Sequence, residues 1–418
     1  MRYHVGKGAL FLVLLVFSIC LGHDWPQFRG PNRDGKSAET GLLKEWPEGG
    51  PRLLWTAQAD LGIGFSHPVI AKGMIYTTGV IGKEGVLFAL DLEGDLKWKV
   101  IYGPEWYRPT RPGTRSIPTV EGDRVYFFSG LGALYCYDAI TGAKKWSLDA
   151  AAKYQGVRPL WAWAESPLVV DDKVICTPGG KLATMAALDK ITGEVIWVTK
   201  DLTDKSAYCS PILVERGGKK IIVTMTAKAV VGVEAANGKI LWQDMFAEYQ
   251  GPRISDTNPI SPIYHEDFIY TTSGYDDGGA LLELSADGTS VRRKWTDKTL
   301  DCHHGNVVLV DGYIYGSNFL SNEKGNWVCL DFETGKVMYE TTWHNKGSVI
   351  YADGMLYCYE DDEGYFALVK PTPAGFEVVS SFKITHGSGQ HWTHPAISDG
   401  RLYIRHGSAM MAYDIKAK

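Results

Sequence analysis

Short apolar segments separated by polar turns recur along most of the chain, and they alternate as strands do. Each unit has an apolar strand after Ser-Pro or a related pair, an Asp/Gly turn and a strand ending in Tyr. An acidic residue, a Thr-Gly-type turn and an aromatic residue close it. β-branched and aromatic residues punctuated by Gly are typical of strands, and helical spacing is nearly absent. The units start at Ser66, Ser116, Ser166, Ser210, Ser261, Gly305, Ser348 and His394.

The repeat length and the two chain ends together predict a closed ring. From Ser66 to His394 the seven intervals average about 47 residues, within the roughly 40–50 residues of propeller repeats. The last unit stops at Tyr413-Asp414 without a closing strand, whereas the strand around Trp55 has no unit before it. Pairing these two removes both open sheet edges. We therefore predict an all-β, eight-bladed β-propeller with four-stranded antiparallel blades, closed by an N-terminal strand.

The turn that closes each unit follows from simple chemistry. In the segment from Asp138 to Trp146 the Asp can bond the backbone of a tight turn, and Gly142 tolerates a positive φ. An aromatic residue eight positions after the acidic one recurs at Trp197, Trp242 and Tyr339. A large ring at a fixed position is suited to packing one blade on the next.

The fullest form of this turn, Ala-x-Asp-x-x-Thr-Gly-x-x-x-Trp, resembles the repeat of pyrroloquinoline quinone (PQQ) propellers. That family includes quinoprotein alcohol dehydrogenases and the lipoprotein scaffold of the outer-membrane β-barrel assembly machinery. The resemblance covers about residues 52–418. It implies the propeller fold, and it allows either an enzyme or a scaffold, because both carry the repeat.

The N-terminus has the pattern of an export signal. Arg2 and Lys7 precede an apolar run that ends near Leu21, and Gly22 supplies a small residue for cleavage. We predict a signal peptide at 1–22, export to the periplasm or the extracellular space, and an N-terminal segment, 23–51, that packs on the propeller. The segment from Asp24 to Asp34 resembles the start of many exported bacterial proteins of this group. No other stretch is long and apolar enough to span a membrane, so no transmembrane segment is expected after cleavage.

Composition excludes several classes of protein. The chain has 14 Trp, 22 Tyr, 14 Phe and 47 Gly among 418 residues, which is unlike disordered, collagen-like or coiled-coil chains. Its net charge of −5 without a basic run argues against a nucleic-acid partner. Seven Cys in this length do not form a dense disulfide scaffold, and Cys136, Cys176, Cys329 and Cys358 lie in apolar strands where buried thiols are expected.

Candidate chemistry is concentrated in the links between blades. In four-stranded antiparallel blades these links share one face of the ring with the second-to-third loops, and here they are long, whereas the opposite face has only tight turns. Loops beyond hairpin length usually carry function. Guanidinium groups with stacking rings suit a planar, anionic or hydroxyl-rich ligand such as a quinone, a sugar or an alcohol. We predict a ligand site at the channel mouth formed by Arg111, Arg115, Trp161, Trp163, Glu165, Asp256, Asn258, His303, His304, His391, Trp392 and His394.

Three functions remain open at this point. The resemblance implies a quinone-dependent oxidoreductase of alcohols or sugars that uses PQQ with Ca²⁺, for which Asp256 and Asn258 are candidate ligands. However, the chain has no adjacent Cys pair and no haem-attachment motif, which favours a cofactor-free scaffold for envelope proteins. Seven of the 11 histidines lie from His303 onward, which allows a metal-dependent carbohydrate enzyme, although none has a metal-ligand spacing. The expected partners are therefore a small molecule or envelope proteins.

Overall fold

The computed structural model describes residues 24–248 and 256–417, and the predicted signal peptide at 1–22 lies outside the described residues. The described chain forms eight separate sheets, one for each blade, in which four antiparallel strands follow in sequential order apart from the closing blade. The sheet of blade 7 also has a fifth strand, which pairs in parallel. The first strands of neighbouring blades contact one another at five junctions, those of blades 8 and 1, 1 and 2, 2 and 3, 3 and 4, and 6 and 7, around a central channel. The prediction of an eight-bladed propeller is confirmed.

The strands, numbered in chain order, are as follows. Two precede the first blade: β1 (Lys36–Ser37) and β2 (Arg52–Thr56). Blades 1 to 4 contain β3 (Val69–Ala71), β4 (Met74–Ile81), β5 (Glu84–Asp91), β6 (Leu96–Pro104); β7 (Thr119–Glu121), β8 (Arg124–Phe128), β9 (Ala133–Asp138), β10 (Lys144–Asp149); β11 (Leu168–Val170), β12 (Lys173–Cys176), β13 (Ala186–Asp189), β14 (Val195–Val198); β15 (Ile212–Arg216), β16 (Lys219–Met225), β17 (Ala229–Glu234) and β18 (Ile240–Met245).

Blades 5 to 8 continue the pattern. They contain β19 (Ile263–His265), β20 (Phe268–Ser273), β21 (Gly278–Leu284), β22 (Val291–Asp297); β23 (Val307–Val310), β24 (Tyr313–Ser317), β25 (Trp327–Asp331), β26 (Val337–Thr341); β27 (Gly347–Ala352), β28 (Met355–Glu360), β29 (Tyr365–Lys370), β30 (Glu377–Lys383); β31 (Ala396–Ser398), β32 (Arg401–His406) and β33 (Ala409–Asp414). The described helical structure is one short helix, α1 (Ala150–Tyr154), and a single 3-10 turn at Phe246–Glu248. Within the described residues no helix is long and apolar enough to cross a membrane.

The ring closes through its two chain ends, as predicted. β2 pairs antiparallel with β33, so that Leu53 lies opposite Tyr413 and Trp55 lies opposite Ala412. This gives blade 8 its fourth strand from the N-terminal part of the chain. Both edges that an open ring would expose are thereby paired.

The closing aromatic residues contact the following blade. The indole N–H of Trp146 donates to Lys190 O at 3.2 Å, and that of Trp197 donates to Ala235 O at 3.0 Å, in each case across a blade boundary. Each ring also covers a turn glycine of the following blade, where a Cβ would approach the ring within 2.5 to 2.8 Å: Trp98 on Gly142, Trp146 on Gly193 and Trp197 on Gly238. These glycines have positive φ as well, so two independent constraints exclude a side chain there.

The apolar core consists of the interfaces between blades. One cluster joins Leu168, Ile175 and Ala187 of blade 3 to Ile222 and Val231 of blade 4. The six cysteines of the described residues are buried and form no disulfide there, in agreement with the expected buried thiols. Blade faces packed in this way hold the inner strands, and hence the links that lead into them, in fixed positions.

The segment at 24–37 enters the channel and closes it from the tight-turn face. Trp25 pairs with Ile70, the middle residue of β3, and β1 pairs in parallel with β27. Between these contacts, the buried side chains of Arg29 and Arg33 bond the channel wall. Arg33 donates from Nη1 to the carbonyls of Ser166 at 3.0 Å and Pro211 at 2.9 Å. We call residues 25–37 the plug.

Candidate functional site

A cavity of about 160 Å³ lies at the channel mouth on the face that carries the long links. Its residues come from most of the links, from one second-to-third loop and from the plug. They are Phe28, Phe65, Arg111, Arg115, Ile117, Trp161, Ala164, Tyr208, Ser210, Thr257, Pro259, Tyr275, His303, His304, Asn306, Trp392 and His394. Because Phe28 belongs to the plug, the channel ends in a blind pocket at this level.

One wall of the cavity is a stack of guanidinium and indole groups. The guanidinium of Arg111 lies 5.9 Å from the ring centre of Trp161 and 4.9 Å from that of Trp392. Arg115 lies 5.2 Å from the ring centre of Phe65 and donates to the carbonyls of Gly113 and Arg111, both at 2.8 Å. Cation–π contacts of this kind hold both components in place.

A second wall of the cavity is made of histidines. The rings of His303 and His304 lie 4.7 Å apart, and the ring of His304 lies 5.1 Å from Trp392. His394 contacts His304 O through Nε2 at 3.0 Å, and its Nδ1 is buried without a hydrogen-bond partner, as is Nδ1 of His303. Burial lowers the pKa of His303 to about 3 and that of His304 and His394 well below the ordinary value, so all three rings are neutral at pH 7.

Behind the histidine wall lies a buried charged pair. Asp361 Oδ2 is 3.5 Å from Lys346 Nζ and also 3.5 Å from Nε2 of His304. Burial raises the pKa of Asp361 to about 7, with Lys346 acting in the opposite direction. The carboxylate thus faces Lys346 and the back of the His304 ring, and it is not among the residues that line the cavity.

Seven of the twelve predicted site residues line this cavity: Arg111, Arg115, Trp161, His303, His304, Trp392 and His394. Trp163 and Glu165, from the same link as Trp161, are buried below it instead. The indole N–H of Trp163 donates to Pro178 O at 3.3 Å, and Glu165 Oε1 accepts from Thr177 N at 3.1 Å. Both side chains bond the second-to-third loop of blade 3.

The other three predicted residues also lie apart from the cavity. His391 stacks on His406, with ring centres 3.6 Å apart, and contacts the hydroxyl of Tyr359. Asn258 is fully buried and donates to Thr226 O at 2.8 Å. Asp256 borders a separate depression of about 270 Å³, where its carboxylate lies 2.9 Å from Lys205 Nζ.

These positions do not fit a PQQ–Ca²⁺ centre. Asp256 is engaged by an ammonium group at the rim of another depression, and the amide of Asn258 bonds a main-chain carbonyl, so the two proposed ligands are not placed to share a cation. Within the described residues, no three His, Cys, Asp or Glu side chains are grouped so that they could hold a metal ion.

Four aromatic residues of the cavity are absent from the predicted set: Phe28, Phe65, Tyr208 and Tyr275. Phe65 directly precedes the unit start at Ser66, and Tyr208 lies two positions before the unit start at Ser210. The last residues of each link are therefore the sequence signal that could have found them. Phe28 could not be found in this way, because its place depends on the path of the plug through the channel.

Comparison with known proteins agrees with this architecture. The structure of BamB from Moraxella catarrhalis matches with a TM-score of 0.62 at 13% identity, over 87% of this chain and 99% of that one. A europium-containing methanol dehydrogenase matches with a TM-score of 0.64 at 13% identity, over 93% and 90% of the two chains. A quinohemoprotein alcohol dehydrogenase from Comamonas testosteroni matches with a TM-score of 0.66 at 12% identity, over 95% and 81%. At these identities the likeness shows the fold alone.

Sequence comparison is more selective. No curated protein sequence matches this chain significantly. A family model described as outer membrane protein assembly factor BamB matches residues 83–323, which is more than half of the chain. The chain therefore belongs to this family of PQQ-like repeat propellers.

Proposed function

We propose that this protein is exported and binds a small, polar, single-ring ligand, such as a sugar, in the cavity at the channel mouth. The observation that carries the proposal is the meeting of guanidinium, indole and neutral imidazole groups around one blind pocket. A concave site with a few convergent polar groups is the usual form of a small-molecule site.

The size of the cavity favours a single ring. Its volume of about 160 Å³ is below the roughly 300–1,000 Å³ of pockets for drug-sized ligands. A multi-ring quinone would need more room, whereas one pyranose ring is of the right order. Asp256 and Asn258, the candidate Ca²⁺ ligands, lie apart from the cavity, which also argues against a quinone there. We therefore propose binding of a sugar without a redox step.

The chemistry of the walls suits hydroxyl groups. A neutral imidazole has one nitrogen that donates and one that accepts, so it can pair with a hydroxyl in either direction. His303, His304 and His394 line the cavity and supply such imidazoles, while the unpartnered Nδ1 atoms of His303 and His394 are themselves buried. The indole of Trp161 supplies an apolar surface at the rim of the cavity, where the flat face of a sugar ring can pack.

Titration of purified protein with monosaccharides, followed by calorimetry or ligand-observed NMR, tests the proposal. Trp161→Ala and His303→Ala should each weaken binding at least about tenfold, as expected for central contacts. Tyr107→Ala is the matched control, since Tyr107 is 45% exposed on a link of the same face and does not line the cavity. If both cavity variants keep the parent's melting temperature and still bind as tightly, the site lies elsewhere.

A scaffold for envelope proteins is the second candidate, and the family membership supports it. The structure adds exposed apolar side chains on the same face, among them Leu160 at 68% and Leu182 at 56%. Large exposed apolar patches are typical of protein interaction sites, and the exposed apolar side chains at tight turns, such as Ile191, provide a comparison on the other face. A photo-crosslinking residue at Leu160 should capture an envelope protein in cells, while one at Ile191, which is 52% exposed at a tight turn, should not. Equal labelling from both positions would contradict the scaffold function.

A further inference from the structure

We infer that the ligand carries a carboxylate, which pairs with Arg111, so that the cavity selects acidic sugars over neutral ones. This inference rests on the proposed ligand site at the channel mouth. It identifies the chemical class of the ligand from the charges and hydrogen bonds around the cavity.

The two arginines of the cavity differ in how their donors are used. Arg115 donates from both terminal nitrogens to main-chain carbonyls, so its guanidinium is a fixed part of the wall. Arg111 has ring contacts with Trp161 and Trp392 but no side-chain hydrogen bond to any described residue. Its five N–H donors therefore remain for solvent or a ligand.

The conformation of Arg111 keeps its guanidinium at this place. Its φ is +60°, a region that residues other than Gly, Asn and Asp rarely adopt. The carbonyl of the same residue accepts from Arg115, and the guanidinium contacts the rings of Trp161 and Trp392. Ring contacts of this kind leave the N–H donors of a guanidinium unused, and its planar fork can pair with a carboxylate through two hydrogen bonds.

The rest of the cavity does not neutralise this charge. None of its lining residues, all of them described, is Asp or Glu. The carboxyl group of Asp361 lies behind the histidine wall, where its Oδ2 is 3.5 Å from Lys346 Nζ. The three histidines are neutral at pH 7, so they add hydrogen-bonding groups without opposing or duplicating the charge of Arg111.

The arginine and the histidines of the cavity together suit a sugar ring that carries both a carboxylate and hydroxyl groups. An acidic sugar offers a carboxylate to Arg111 and hydroxyls to His303 and His394 across a short cavity. A simple inorganic anion would leave the imidazole nitrogens unused, and a neutral sugar would leave the guanidinium without a partner. An unpaired polar group in a desolvated site is costly, which is the basis for discrimination.

The test compares D-galacturonate, D-galactose and trigalacturonate as probes of the parent protein. D-Galacturonate should bind at least about tenfold more tightly than D-galactose at low salt, and only its affinity should fall as salt is added, because an ion pair is screened. Trigalacturonate shows whether the site takes a free sugar acid or a chain end. Tighter binding of the trimer assigns a chain end, and binding of the monomer alone assigns a free acid, both in agreement with the inference.

Variants locate the effect. Arg111→Gln should remove the preference for D-galacturonate, so that the acid and the neutral sugar bind with similar affinity, and Arg111→Lys should retain part of the preference. Arg158→Gln is the control, since Arg158 is an exposed arginine of a neighbouring link that does not line the cavity. Equal binding of acid and neutral sugar by the parent would overturn the carboxylate inference and leave the proposed function standing. Binding of none of the three probes would overturn both.

Discussion

Two pairs of arginines lie along the same channel, and they differ in what their side chains bond. In the plug, Arg29 and Arg33 are buried and donate to carbonyls of the channel wall, Arg29 to that of Val307 and Arg33 to those of Ser166 and Pro211. At the mouth, Arg115 is bonded only to its own link and Arg111 makes no side-chain hydrogen bond to a described residue. Residue type is thus a poor guide to role in this molecule, whereas the hydrogen bonds identify which guanidinium remains available for a ligand.

The arginines differ in their hydrogen bonds because the plug and the links lie in different surroundings. The plug is a continuous piece of chain that must satisfy carbonyls at the starts of the inner strands, because these lie in a channel away from bulk water. Burial lowers the pKa of Arg33 to about 9 and that of Arg29 to about 10, which reflects the cost of bringing both charges inside. At the mouth, burial also lowers the pKa of Arg115 to about 10, and this side chain donates to carbonyls of its own link. Of the four arginines, Arg111 is the one whose side chain makes no hydrogen bond to a described residue.

Removing the plug together with the closing strand should have the largest effect. A chain that begins at residue 59 lacks the plug and β2, so the channel is open and β33 presents an unpaired edge. We expect it to aggregate or to unfold without cooperativity, as measured by size-exclusion chromatography and thermal melting. A chain that begins at residue 24 is the control. A soluble truncated monomer with an unchanged melting temperature would show that neither region is needed for closure.

Substituting single arginines separates the two pairs. Arg33→Met leaves the carbonyls of Ser166, Pro167 and Pro211 without their donor, and we expect it to lower the free energy of unfolding by about 3 kcal/mol. Arg111→Met should lower it by less than about 0.5 kcal/mol, as is usual for surface positions. Denaturant unfolding of the two variants and the parent measures both values.

Arg33→Lys sharpens this comparison. It keeps the charge but cannot reach carbonyls of two inner strands with one planar fork, so it should recover only part of the lost stability. If Arg33→Met is as stable as Arg111→Met, the bonds of the plug do not hold the channel together, and the proposed division between the two pairs fails.

The sequence was sufficient for the ring and only partly sufficient for the cavity. Blade number and closure could be predicted because each unit repeats the same local chemistry, from the acidic turn to the ring that covers the next blade's glycine. Within a link no such repetition exists. Trp161 and Trp163 are two residues apart in one irregular segment, and only the positive φ of Ala162 between them, a tertiary outcome, shows how the segment turns. One indole therefore reaches the cavity, and the other packs on Phe128.

Glu165 shows a second reason why the site was only partly predictable. A carboxyl group close to arginines in the sequence pattern was expected at the ligand, but the structure places it under the links, fully buried near Arg33 of the plug. Burial raises its pKa to about 8, and the hydrogen bonds from Thr177 and the charge of Arg33 act in the opposite direction. Glu165 therefore interacts with the plug and not with a ligand, and the protonation state of its carboxyl group affects the free energy of unfolding.

The smallest predicted effect is a pH dependence that belongs to this carboxyl group. Because the pKa of Glu165 is raised to about 8 in the folded protein, the folded state holds a proton that the unfolded state releases near its ordinary pKa of about 4.3. The stability gained from that proton is fully present below the unfolded pKa and is lost as pH rises through the folded one.

Glu165→Gln keeps an oxygen that accepts from Thr177 N but removes the titration. Relative to this variant, the parent should lose about 1 kcal/mol of unfolding free energy between pH 6 and pH 7, since one proton contributes about 1.4 kcal/mol per pH unit. Denaturant unfolding of both proteins at the two pH values measures the difference and cancels contributions from Asp301 and Asp361, whose pKa values are also raised, to about 7. Parallel pH dependence in the two proteins would mean that Glu165 is ionised at both pH values and forms an ion pair with Arg33, so that the plug would be held by charge pairing as well as by its bonds to carbonyls.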